Sequence, residues 1–139
     1  MLGIGIALVI FAAVLLLTKN DVTPASNPVQ PSQSAVIERY SLADAKAAFD
    51  AQQAIFVDVR SSESYEESHI PGAISIPLQD IADQLSKLDR NKLILTYCTW
   101  PSEESSARAA EIMISFGFRS TFPILGGYNA WIDAGYPVE

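Results

Sequence analysis

The stretch Leu93-Ile94-Leu95-Thr96-Tyr97-Cys98-Thr99-Trp100-Pro101-Ser102-Glu103-Glu104-Ser105-Ser106-Ala107 decides how the chain is read. Its first five residues form a short, largely apolar run followed by polar residues and a proline, the pattern of a buried strand ending at Cys98. A helix is expected next. Ser102 is a candidate N-cap, Glu103 and Glu104 suit the first turn, and Ala109, Ile112, Met113 and Phe116 recur at helical spacing until Gly117 ends the pattern. The only cysteine of the chain therefore stands at a strand-to-helix junction. Junctions of this kind, with unpaired backbone N–H groups and the positive end of a helix dipole, favour thiolate over thiol.

Outward from this unit the chain alternates between strand and helix patterns. Val36–Tyr40 reads as a short strand, and Ser41-x-x-Asp44 opens a helix whose inner stripe is Leu42, Ala45 and Phe49. Residues 54–59 (Ala-Ile-Phe-Val-Asp-Val) are apolar enough to be buried on both faces, as a parallel strand would be, and Asp58 and Arg60 sit at its end. A polar segment with Tyr65 leads into His69-Ile70-Pro71-Gly72-Ala73, a turn feeding the strand-like Ile74-Ser75-Ile76-Pro77. Ile81, Leu85 and Leu88 mark another helix, and Asp89-Arg90-Asn91 turns the chain into the Cys98 strand. Ser120–Leu125 supplies a further strand, broken by Gly126-Gly127, and Tyr128–Ala134 reads as a last helix stopped by Gly135 and Pro137. This alternation implies an α/β domain with a central, mainly parallel sheet flanked by helices. In such sheets the reactive site lies beyond the carboxyl ends of the strands, where Asp58, Arg60 and Cys98 all fall.

A chain of 139 residues with net charge −7 has room for one domain. The acidic balance, with no Lys/Arg cluster to neutralise phosphates, argues against nucleic acid. A single cysteine forbids an internal disulfide, a cysteine-based zinc cluster and an intramolecular resolving thiol, and the single histidine, His69, leaves no partner set for a metal.

The amino-terminal part differs in kind. Leu2–Leu17 is an unbroken run of apolar residues and glycine, and as a helix Met1–Leu17 would rise roughly 25 Å, slightly short of a ~30 Å hydrocarbon core. It reads as part of a single-pass transmembrane anchor over residues 1–19. A cleaved signal peptide is the alternative, against which stand the missing charged n-region and cleavage site. Residues 20–35, with Pro24, Pro28 and Pro31 among small polar residues, form a flexible tether, leaving 36–139 as the folded domain. Lys19, the only nearby basic residue, would by itself keep the domain cytoplasmic. Short N-terminal tails in bacterial-type anchors favour the opposite, and the expectation adopted is an extracytoplasmic domain, periplasmic if the source is bacterial.

Four pieces in order carry a resemblance: Asp58-Val59-Arg60, His69-Ile-Pro-Gly-Ala73, the strand–Cys98–loop–helix unit, and Gly126-Gly-Tyr-Asn-Ala-Trp-Ile-Asp-Ala-Gly-Tyr-Pro-Val138. Together they resemble a single rhodanese-like domain over 36–139. The resemblance implies that Cys98 takes a sulfur atom as a persulfide and passes it to a thiol or other thiophilic acceptor. It further implies that the loop Thr99, Trp100, Pro101, Ser102, Glu103, Glu104 and Ser105 cradles the persulfide and a small anionic donor with backbone N–H groups, and that no cofactor or metal is required. Where many family loops carry Arg or Lys and Gly, this loop supplies two acids and no base, and it is longer than the common six-residue form. It resembles a variant with Cys-x-x-Pro-x-Glu, and the acids argue against thiosulfate as donor, at about 1 kcal/mol per close like-charge pair at a surface. A phosphatase relative would need Arg six residues after the cysteine. Glu104 stands there.

Plainer readings accompany each residue. Trp100 either shields a persulfide or packs over the loop, and Glu103 and Glu104 suit dipole partners of the helix better than catalytic acids. Asp58 and Arg60 read as a structural pair orienting the loop, with contact between Arg60 and substrate as the alternative. His69 reads as a hydrogen-bonded turn residue, and Tyr128 and Trp131 as packing. Two functions follow: a membrane-tethered sulfurtransferase cycling through a Cys98 persulfide, or a non-turnover module at the membrane, either a persulfide carrier or a protein-binding domain. No particular protein partner is indicated.

Overall fold

Four parallel strands in the order β2-β1-β3-β4 form the centre of the domain, here described from a computed structural model over residues 36–99 and 104–139. The strands are β1 (Ala54–Asp58), β2 (Ile74–Ser75), β3 (Leu93–Tyr97) and β4 (Thr121–Pro123). β1 and β3 are central and pair in full register, Ala54 with Leu93 through Asp58 with Tyr97. The register puts Asp58 beside the residue that precedes Cys98.

Helices cover both faces. On one side lie α1 (Leu42–Asp50) and α5 (Gly127–Asp133), over Phe56, Leu95 and Tyr97; on the other lie α3 (Ile81–Gln84) and α4 (Glu104–Ser115), over Val57, Ile94 and Cys98. The division follows from the two-residue period of a strand. Successive residues of β3 alternate between the faces, so Tyr97 and Cys98 point to opposite sides.

Local chemistry starts the helices as the sequence pattern expects at α1, where the Ser41 hydroxyl accepts from the Asp44 N–H at 3.1 Å and donates to its carboxylate at 2.6 Å. Small residues set the packing of α1, with Ala45 and Ala48 buried against the sheet. The carboxyl half of the chain closes this layer. Trp131 is fully buried, meets Phe49, Phe56 and Tyr136 edge-on at 5.0 to 5.7 Å, and donates its indole N–H to the Pro137 carbonyl.

Several elements differ from the sequence expectation. Val36–Tyr40 is no strand: Tyr40 alone bridges to Ile124, and Val36 is 93% exposed, because the chain turns into the Ser41 cap instead of following the edge of β4. The polar segment around Tyr65 contains the short helix α2 (Ser62–Glu67), which buries no residue and so leaves no apolar period to read. Its Ser61 cap and the stacking of Tyr65 on His69 hold it. The helix expected at Ile81, Leu85 and Leu88 is divided into a 3-10 turn at Leu78–Asp80, α3, and a 3-10 turn at Leu85–Lys87, although all three residues are buried. Phe116, expected inside, is 52% exposed. Helix α4 ends at Ser115, and Gly117, at a φ of +96°, reverses the chain so that Phe118 enters the core instead.

The anchor expected over 1–19, the tether over 20–35, and the Ser102 cap lie outside the described residues. Among the described residues no helix is long and apolar enough to cross a membrane.

Residues near the carboxyl end are tied back to the His69 turn. His69 and Glu139 exchange two backbone hydrogen bonds of 2.9 Å, and one Glu139 carboxylate oxygen lies 3.1 Å from both the Gly72 N–H and His69 Nε2. The Gly72 N–H and, after it, His69 hold this carboxyl below its usual pKa. A carboxylate with a lowered folded-state pKa stabilises the fold above its unfolded value and loses that contribution as pH falls through the folded one. Wild type should therefore melt above Glu139→Ala at neutral pH, and the gap should close in the acid range below the ordinary glutamate pKa. Thermal melts of both proteins from pH 7 to pH 3 check this, and a gap independent of pH would contradict it.

Candidate active site

β3 delivers Cys98 at its carboxyl end, 3% exposed and on the face covered by α4, in the same apolar cluster as Ala109 and Met113. Its backbone is gripped from the start of α5. The Tyr128 N–H donates to the Cys98 carbonyl at 2.9 Å, and Gly127 approaches the same carbonyl so closely that a Cβ built there would stand 2.3 Å from the oxygen and 3.3 Å from the carbon. Gly127 also adopts a φ of +58°. Both the space and the backbone angle demand glycine.

Asp58 and Arg60 pair at the end of the neighbouring strand β1. Asp58 is fully buried and accepts from the Arg60 backbone N–H at 3.0 Å, from Nε at 3.0 and 3.1 Å, and from Nη2 at 2.6 Å. Nη2 also donates to the Ser68 carbonyl at 2.7 Å, and the guanidinium lies 3.9 Å from the centroid of the Tyr128 ring. Burial alone would lower the pKa of Arg60, but the hydrogen bond and charge of Asp58 outweigh it and the net displacement is upward. The arginine side chain is 7% exposed, and Nε and Nη2 are both directed at protein acceptors. Tyr128 donates its hydroxyl to Ser68 Oγ at 2.7 Å, and Tyr97 accepts from the Ile70 N–H at 3.2 Å. Burial, reinforced by the Asp58 charge, pushes the Tyr97 phenol far above its ordinary pKa, so it remains a neutral structural hydroxyl.

The loop expected to surround the sulfur is described at its two ends. Thr99 is exposed, Glu104 is exposed at the first position of α4, and Ser105 is half-buried; Trp100, Pro101, Ser102 and Glu103 lie outside the described residues. Glu104 and Ser105 line a cleft of about 520 Å³ together with Leu78, Glu111 and two basic residues, Arg39 and Arg108. Sequence order hides these arginines, one lying before α1 and one on the outer side of α4, so the acids of the loop are not the only charges beside it. His69 donates from Nδ1 to the Tyr65 carbonyl at 2.7 Å and stacks on the Tyr65 ring. Among the described residues no three His, Cys, Asp or Glu side chains are placed to share a metal ion.

Residues 41–134 match the family described as the rhodanese-like domain. The chain belongs to that family. It is 33% identical over 88 residues to the thiosulfate sulfurtransferase GlpE of Pseudomonas savastanoi pv. phaseolicola, covering 63% of this chain and 80% of that protein. It is 34% identical over 119 residues to the HTH-type transcriptional regulator Rv0324 of Mycobacterium tuberculosis, covering 86% of this chain and 51% of the regulator. Among solved structures, the BH2092 protein of Bacillus halodurans superposes with a TM-score of 0.68 at 34% identity, over 74% of this chain and 77% of that one. These likenesses support a sulfurtransferase or sulfur carrier at the level of the family.

In this rhodanese-like domain Gly127 leaves no room for a side chain beside the carbonyl of the candidate nucleophile. A methyl group at 127 meets a backbone carbonyl, which cannot swing aside as a flexible side chain would, and it also suffers the left-handed angle. Gly127→Ala should lose at least about 2 kcal/mol of unfolding free energy, measured by urea denaturation, and a loss under about 0.5 kcal/mol, the range of neutral surface changes, would show that the strand end yields freely.

Proposed function

We propose that this protein is a sulfurtransferase in which Cys98 carries a sulfane sulfur as a persulfide. The observation that carries the reading is the placement of the only cysteine, at the carboxyl end of a central parallel strand in a rhodanese-like domain, with its backbone pinned by Gly127 and Tyr128 and α4 covering its side. In the first half-reaction the Cys98 thiolate attacks the outer sulfur of the donor; the donor's sulfur bond breaks and its remainder leaves with the bonding electrons. In the second, a thiolate or other thiophilic acceptor attacks the terminal sulfur of the persulfide and the Cys98 thiolate is regenerated. Backbone N–H groups of the first turn of α4 would offset the negative charge on the terminal sulfur.

Thr99, Trp100, Pro101, Ser102, Glu103, Glu104 and Ser105 would form the wall of the donor site, with Asp58 and Arg60 acting behind it as support. Glu103 and Glu104 oppose a dianion such as thiosulfate, while Arg39 and Arg108 in the adjoining cleft offset that opposition in part.

A second reading, a non-turnover persulfide carrier or protein-binding module, is favoured by the near-complete burial of Cys98. The likeness to part of a transcriptional regulator shows the domain type inside a larger protein of another kind. Intact-mass measurement separates the readings. After incubation with thiosulfate, or with an organic persulfide, wild type should gain one sulfur atom that Cys98→Ser does not gain, and a thiol acceptor should remove it. No adduct with either donor class would eliminate the persulfide reading, and an adduct that no acceptor removes would favour the carrier.

We further infer that residues 1–19 anchor the protein in a membrane and that the 20–35 tether holds the domain on the extracytoplasmic side. Support comes from the apolar run Leu2–Leu17 and the proline-containing segment after it. A fusion after Glu139 to a reporter that works only outside the cytoplasm should be active and should fractionate with membranes. Activity from a cytoplasm-only reporter at the same site would reverse the orientation.

A further inference from the structure

β3 contains one aliphatic hydroxyl among apolar and aromatic side chains, that of Thr96, which is fully buried and donates to the Ser106 carbonyl of α4 at 2.9 Å. A helical carbonyl at that position is already served by the N–H four residues on, so the threonine bond satisfies no orphan acceptor in the helix. Its distinctive effect is geometric. Thr96 and Cys98 are two residues apart and face the same side of the sheet, so Cys98 lies ~6.6 Å further along the strand. Ser106 is the third residue of α4, so the start of the helix lies ~3 Å beyond it in the same direction. With α4 running back along the sheet, the bond sets the level of the first helical turn against the strand end that bears the sulfur.

We propose that Thr96 is a positioning residue for Cys98. Its hydroxyl fixes the height of α4 so that the N–H groups of the first turn meet a negative charge arriving at the sulfur. The proposal rests on the assignment of Cys98 as the reacting residue, and it concerns the preference of that sulfur for anionic partners. Tyr97, the neighbour between the two, points to the opposite face and takes no part in this contact.

The test uses two alkylating reagents of the same reaction type, iodoacetate and iodoacetamide, which differ in charge. Their rate ratio at Cys98 reports how well the site receives an anion, independently of any sulfur transfer. In Thr96→Val the ratio should fall roughly two- to fivefold, the size of a helix-terminus charge effect, and Thr96→Ser should restore it. A simple loss of packing or stability would change both rates together and leave the ratio unmoved. An unchanged ratio in folded Thr96→Val, verified by circular dichroism, would overturn the proposal, as would a Cys98 that reacts with neither reagent in the native protein. Persulfide formation followed in parallel on wild type keeps the outcomes apart, since failure there removes the sulfur-transfer reading without altering the ratio.

Discussion

A carboxylate shut off from water at the end of β1 organises the carboxyl edge of this domain. Asp58 and Arg60 are two residues apart in sequence, yet the pair ties together separate parts of the chain. The arginine reaches the Ser68 carbonyl and lies against the Tyr128 ring, and the Tyr128 backbone holds the Cys98 carbonyl. Burying such a pair is costly in itself, and removing either partner would strand a charge, with a penalty of about 3–5 kcal/mol. The pair is consequently better understood as fixing geometry than as adding net stability. It holds Ser68, Tyr128 and the strand end to one mutual arrangement.

The charges around the start of α4 come from distant parts of the sequence. Read along the chain, the loop after Cys98 is acidic. Folded, Glu104 shares a cleft with Arg39, which precedes α1, and with Arg108, one helical turn further along α4. Arg108 also lies 3.4 Å from Glu111 at an exposed position, a contact of the kind worth little on its own. The cleft therefore presents both signs of charge.

How much of this was legible in the sequence depended on whether the signal was local. The Ser41 cap, the apolar runs of β1 and β3, and the glycine stop after α4 are each written within a few residues, and they yield the alternating pattern from which a parallel sheet follows. The Asp58-Val59-Arg60 pair and the hydrogen-bonded role of His69 were also readable, since each sits in a short motif. Helix α2 was not, because it buries nothing and is held by a cap, the stacking of Tyr65 on His69 and hydrogen bonds of Tyr65, none of which leaves an apolar period. Phe116 and Phe118 lie two residues apart across a turn, and which one enters the core depends on a reversal at Gly117 that periodicity cannot anticipate. The close approach of Gly127 to Cys98 joins residues nearly thirty positions apart. A paired glycine flags an unusual backbone, but only the fold says which carbonyl it makes room for.

The alternation of β3 has a consequence for how such a site can diversify. Tyr97 belongs to the aromatic layer under α1 and α5, while Thr96 and Cys98 belong to the layer under α4. The sheet is thus a partition between an aromatic layer and the layer that holds Cys98, with the backbone of residues 96–98 as their common wall. Substitutions on the α4 side leave the Trp131 cluster untouched, whereas changes among the aromatic rings reach Cys98 through the Tyr128 N–H that holds its carbonyl. A domain divided in this way has two side-chain layers that pack independently and communicate through one strand end.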